Sequence, residues 1–170
     1  MGTRLREKGY SVETTNDFAD VPSRYNLQDF DLITMGGQVP AATKGAIMQA
    51  ATAVQPAMRF VQGMAAIPGL VVDQIEGELH AERRKSEQVP QFEAPTRTLH
   101  VVLTDTARLT VTVWWQTTFV PPDPGSDSRL LCDETRPAGQ YSFALPAEVP
   151  DEYSFATVYI DDAAYALKLA

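Results

Sequence analysis

Two hydrophobic periods divide this chain. Up to about residue 85, apolar positions switch between strand spacing and helix spacing, and beyond about residue 96 they recur at every second position. Residues 3–8 are mostly charged and end at Gly9, a residue suited to a helix C-cap. Residues 10–14 alternate like a short strand, which Asn16 and Asp17 break. Residues 31–35 read as a second strand, stopped by Gly36 and Gly37. Pro40 sits where a helix begins, and Ile47, Ala50, Ala51 and Val54 then fall at i, i+3, i+4 and i+7. Pro56 ends that helix, and residues 59–63 predict a third strand. A second amphipathic helix is expected over 68–85, with Val71, Val72, Ile75 and Leu79 on one side. Its end carries Arg83, Arg84 and Lys85, whose charge suits the C-terminal end of the helix dipole.

Pro90 and Pro95, among Ser, Glu and Gln, give residues 87–95 the chemistry of a linker. Strands are then expected at 100–103, 108–119, 140–145, 153–160 and 164–169. In the clearest, Leu109, Val111, Val113 and Trp115 alternate with Thr110, Thr112 and Trp114. Turn-forming clusters at 121–128, 137–139 and 146–151 separate the strands, and Asp161-Asp162 reads as a hairpin turn. Short strands with such punctuation predict a β-sandwich over 96–170.

Composition narrows the function classes. The 170 residues carry a net charge of −8, which disfavours an electrostatic grip on nucleic acid. Residues 1–90 hold 9 Lys/Arg and 11 Asp/Glu, against 5 and 11 in residues 91–170, so the acidity belongs mainly to the second half. No apolar run approaches the roughly 18 residues of a membrane-spanning helix. One cysteine, Cys132, rules out an intramolecular disulfide. The first residues lack the apolar middle of a secretory signal, so a reducing cytoplasm is the expected setting.

Strand, helix, strand, helix with glycine-bearing turns over residues 1–86 resembles part of a Rossmann-like or flavodoxin-like domain. The phrase Lys8-Gly9-Tyr10 with Val12 is similar to the junction of the first helix and second strand of such domains. The resemblance implies a three-layer α/β module, here truncated: no strand precedes Gly2, the glycine-rich phosphate loop is missing, and no acid follows Met35 where receiver domains carry a phosphoacceptor. The second half resembles an immunoglobulin-like sandwich. The expected fold class is therefore α/β plus all-β. A doubly wound sheet without its first strand exposes edges, so a strand from the C-terminal module or from a second subunit is expected to complete it.

Candidate chemistry follows this frame. Gly36 and Gly37, and Gly63 to Gly69, follow strand ends where α/β sheets bind ligands, and are the candidate nucleotide or dinucleotide contacts. Asn16 and Asp17 lie near where such folds place a ribose-binding acid, although turn chemistry also explains them. Asp123, Asp127, Asp133 and Glu134 surround a loop with the oxygen ligands calcium favours. Trp114 and Trp115 point to opposite sides of a strand, one toward the core and one available for a protein or carbohydrate contact. His80, His100 and Cys132 show no catalytic spacing, and no G-x-S-x-G, P-loop or H-E-x-x-H pattern occurs. The expectation is a non-catalytic interaction protein without a cofactor, homo-oligomeric or bound to another protein. The alternatives are a nucleotide- or dinucleotide-binding, enzyme-like protein whose phosphate loop lies upstream of Met1 or in a partner, and a carbohydrate-binding accessory module.

Overall fold

In the computed structural model, residues 1–120 and 125–169 are described. The fold is mixed, 27% helix and 35% strand, with one parallel and two antiparallel sheets. The chain divides into two compact units, Met1–Leu79 and His80–Ala170.

The first unit is built on two parallel strands, β1 (Leu32–Met35) and β2 (Arg59–Gln62), joined by a crossover helix. Its helices are α1 (Gly2–Glu7), α2 (Val21–Arg24), α3 (Ala41–Val54) and α4 (Pro68–Leu79). Consecutive apolar residues make both faces of this small sheet sticky. Ile33, Met35 and Phe60 belong to the clusters that include Ile47, Ala50 and Ala51 of α3. Leu32 and Val61, on the alternate face, join Leu5 of α1 and Val71, Val72 and Ile75 of α4. Helices therefore cover both faces, as parallel sheets require.

Residues 10–14 do not form the expected strand. The Tyr10 N–H donates to Leu5 O at 3.1 Å, and Arg6 Nη2 donates to Val12 O at 2.6 Å. Tyr10 and Val12 pack on the cluster around Leu5, so their alternating apolar side chains serve helix packing rather than a ladder. α4 also ends earlier than its pattern predicts. Arg59 of β2 donates to the carbonyls of Glu78 (2.9 Å) and Leu79, satisfying orphan acceptors of the last turn. The cation at this helix end is thus Arg59, not the basic run at 83–85.

That run belongs to the second unit, which starts at His80. Arg84 Nε donates to Ala164 O at 2.7 Å, and its guanidinium lies 5.9 Å from the Tyr165 ring centroid. Lys85 N–H donates to the Tyr165 hydroxyl at 3.0 Å. The strands here are β3 (Gln91–Glu93), β4 (Thr98–Leu103), β5 (Ala107–Gln116), β6 (Ser126–Arg136), β7 (Gly139–Ala144), β8 (Ser154–Ile160) and β9 (Ala163–Lys168). They form two antiparallel sheets, ordered β3-β4-β7 and β6-β5-β8-β9. The expected linker at 87–95 contains β3, and the expected loop beyond 124 is mostly β6.

The two sheets share one core. Leu99, Val101 and Leu103 of β4 cluster with Leu109, Val111, Val113 and Trp115 of β5 and with Val158 of β8. β5 pairs with β6 on one side and β8 on the other, and its burial alternates along its whole length. Between Val111 and Thr112 the register against β6 jumps from Cys132 to Leu130, which leaves Leu131 as the extra residue of a bulge.

Leu109 is fully buried at the centre of that core. Leu109→Ala removes its contacts and leaves a cavity, so chemical denaturation should show a loss of about 2–5 kcal/mol.

Candidate functional site

The sheet of the first unit has open edges. Arg59 N–H donates to Asp31 O and Gly63 N–H to Met35 O, at 3.1 and 3.2 Å. In a parallel ladder this register directs the odd positions of β1 toward β2 and turns the backbone groups of Leu32 and Thr34 outward. On the far side, Phe60 and Gln62 of β2 face out. The Gln62 carbonyl there accepts from Gln74 Nε2 of α4 at 3.3 Å, while Gln74 Oε1 accepts the Met64 N–H at 3.0 Å. A side chain thus blunts the β2 edge, and among the described residues no strand pairs with the β1 edge.

Parallel pairing brings Gly36, Gly37 and Gly63 to the same end of the sheet, whereas Gly69 is buried inside α4. Gly36 and Gly37 do not take positive φ, and a Cβ on either would meet nothing within 4 Å. A Cβ on Gly63 would meet the Val71 side chain at 3.4 Å. Packing and backbone geometry therefore make little demand for glycine at 36 and 37. On the α4 side donors for an anion are few, because α4 starts at Pro68, which has no N–H, and Met64 N–H is occupied by Gln74. Asp17 accepts from Arg24 at 3.2 Å, and its own N–H donates to Thr15 Oγ1 at 3.0 Å, the chemistry of a turn.

In the second unit, the acids read as a loop cluster are distributed along β6. Asp123 lies outside the described residues. Asp127 accepts the Ser128 N–H at 2.8 Å. Asp133 accepts a two-pronged contact from Arg108, at 2.9 and 3.0 Å, and a third bond from Thr110 Oγ1 at 3.0 Å. Glu134 pairs with Arg136 at 3.1 Å. Among the described residues no cluster has the donors to hold a metal ion. Cys132 is in β6 rather than a loop, buried against the core.

The tryptophans divide as alternation requires. Trp115 is buried in the core, so it cannot serve as a contact residue. Trp114 is half-buried on the opposite face, and its Nε1 donates to Thr157 Oγ1 at 2.9 Å. His100 Nδ1 lies 2.9 Å from Ser142 Oγ and its Nε2 3.6 Å from Glu93, a cross-strand row. His80 lies beyond α4, 3.9 Å from Glu82. A cleft of about 220 Å3 is lined by Arg83, Lys85, Gln88, Asp105, Asp161 and Asp162; Arg83 pairs with Asp162, Lys85 pairs with Asp105, and Asp161 accepts the Arg108 backbone N–H.

One feature has no counterpart in the sequence pattern. Phe119 and Tyr153 lie just beyond the ends of β5 and β8 and are 56% and 50% exposed. Their ring centroids are 4.7 Å apart at 63°. Tyr153 takes φ of 56°, a left-handed conformation that costs a non-glycine residue about 1–2 kcal/mol. Alternation placed both residues inside strands, since a left-handed φ leaves no mark on hydrophobic spacing. No family model, curated protein or solved structure matches the chain.

The Arg108 guanidinium, followed by Thr110, holds the Asp133 carboxyl below the usual aspartate range. A depressed folded value means that stability is present above the ordinary pKa and is lost as pH falls through the folded one. Thermal melts between pH 6 and pH 3 should therefore show a smaller acid-induced drop in Tm for Asp133→Asn than for the wild type.

Proposed function

We propose that this chain is a non-catalytic interaction protein that self-associates through the open β1 edge of its first unit. One observation carries this reading: the parallel sheet of β1 and β2 is covered on both faces, yet among the described residues no strand pairs with the β1 edge, toward which the backbone groups of Leu32 and Thr34 turn. Such an edge is a template for another strand. Antiparallel pairing of β1 with its copy about a two-fold axis gives a four-stranded sheet edged by the two β2 strands, in which each partner supplies the same surface. The blunted β2 edge directs pairing to β1.

In finer detail, the first unit reads as an incomplete flavodoxin-like or Rossmann-like module, and the second as an immunoglobulin-like sandwich. The shared core and the two antiparallel sheets support the sandwich. Its fourth strand, β6, pairs with the third, β5, rather than with the fifth, β7. The reading requires no cofactor and places the protein in the cytoplasm, where the buried Cys132 thiol stays reduced.

Size-exclusion chromatography with light scattering should give a mass above that of one chain. Thr34→Pro removes an outward N–H without touching the β1–β2 ladder. The variant should run as a monomer with unchanged circular dichroism. A monomeric wild type sinks the proposal. In a thermal-shift screen, NAD, FMN and ATP should leave Tm unchanged, whereas a nucleotide-binding protein is stabilised by mass action.

A further inference from the structure

We infer that the Phe119–Tyr153 corner of the second unit docks a basic, proline-bearing extended peptide from a partner protein. The inference is independent of self-association at β1, because it concerns another unit and different residues.

Exposure comes first. Phe119 and Tyr153 are 56% and 50% exposed and meet at one end of the β5-β8 pair, and Val120, next in the chain, is 70% exposed. Single exposed apolar residues need no explanation, but a contiguous aromatic group at the end of a sheet does. The two rings meet at 63° and form a corner rather than a flat platform. Proline rings of an extended chain seat between aromatic side chains, and such a segment is already ordered before binding.

Backbone strain is the second observation. At position 153 the chain turns into β8 through a left-handed residue whose carbonyl accepts the Gln116 N–H at 3.3 Å. A glycine or asparagine performs this turn at lower cost. The turn therefore does not account for a tyrosine, and the ring faces solvent with Phe119 as its ring contact. A costly conformation that presents an exposed side chain points to use of that side chain.

Charge decides the occupant. Around the corner, Arg97 is paired with Asp151 and Arg129 with Glu148. Asp127 and Glu152 have no cationic partner among the described residues, so the rim is left negative. A second copy seated here would bring like charges together. A cationic segment meets complementary charge and can place its side chains over the ring faces.

Fluorescence polarisation with two labelled probes, (Lys-Pro)4 and (Glu-Pro)4, tests this on the full chain. The wild type should bind (Lys-Pro)4 saturably, with affinity that falls as salt rises, and should not bind (Glu-Pro)4. Tyr153→Gly should weaken binding at least tenfold while Tm stays the same or rises, because glycine relieves the strain. A purely structural role for Tyr153 predicts the opposite change in Tm. Should that variant fail to fold, Phe119→Ser provides the same test with no backbone effect, and its mass in solution should equal that of the wild type. No saturable (Lys-Pro)4 binding, equal binding of both probes, binding insensitive to the variants, or a lower mass for Phe119→Ser overturns the inference.

Discussion

The two faces of a strand cannot be specified independently, because successive side chains point to opposite sides. A strand covered on both faces must be apolar at nearly every position, and one covered on a single face needs apolar residues only at alternate positions. Both units follow from this constraint. Leu32-Ile33 and Phe60-Val61 are consecutive apolar pairs, and helices cover each side of them. Ala107 to Gln116 alternate strictly, and one face of β5 enters a core shared by two sheets. The first arrangement uses its helices to cover faces and leaves an edge open. The second covers one face and leaves the other for polar contacts such as Arg108 with Asp133 and Trp114 with Thr157.

The same constraint explains what could be read from the sequence. Ile47 and Ala51 marked α3, and Leu109, Val111 and Val113 marked β5, because those residues are buried by their own element's periodicity. β3 and β6 were missed, and both are outermost strands in their sheets. They bury little: β3 has no buried residue and β6 only Cys132, while Asp127, Arg129, Asp133, Glu134 and Arg136 obscure the alternation. Residues 10–14 misled in the opposite sense, because Tyr10 and Val12 alternate yet pack on a helix. The opposed tryptophans were legible from alternation alone. An edge lacking its partner strand was expected beside residues 10–14, which form no strand, so the open edge lies on β1; the Gln74 contact that blunts the other edge left no mark on the pattern, since it joins a helix to a strand twelve residues away. The corner at Tyr153 depends on a single backbone angle, to which hydrophobic spacing is blind.

Electrostatics plays different roles in the two units. The first carries 6 Lys/Arg against 9 Asp/Glu, and its described ion pairs, Lys8 with Glu76 and Arg24 with Asp17, are partly or largely exposed. Such pairs contribute little to stability. In the second unit, paired charges on strand faces sit beside Asp127 and Glu152, which have no cationic partner among the described residues, at the end near Tyr153. An excess of negative charge at an exposed aromatic group discourages contact between identical copies and favours a partner of opposite sign.

The Arg59 side chain has a further effect. It reaches from β2 to the final carbonyls of α4, so the last turn of that helix is completed by a residue about twenty positions earlier in the chain. Helix ends ordinarily fray alone. Here the end of α4 can loosen only when Arg59 lets go, and Arg59 is held in place by the ladder between β1 and β2. Strand and helix terminus are thereby joined into one cooperative opening unit, whose amides exchange with solvent together rather than in sequence from the helix end inward.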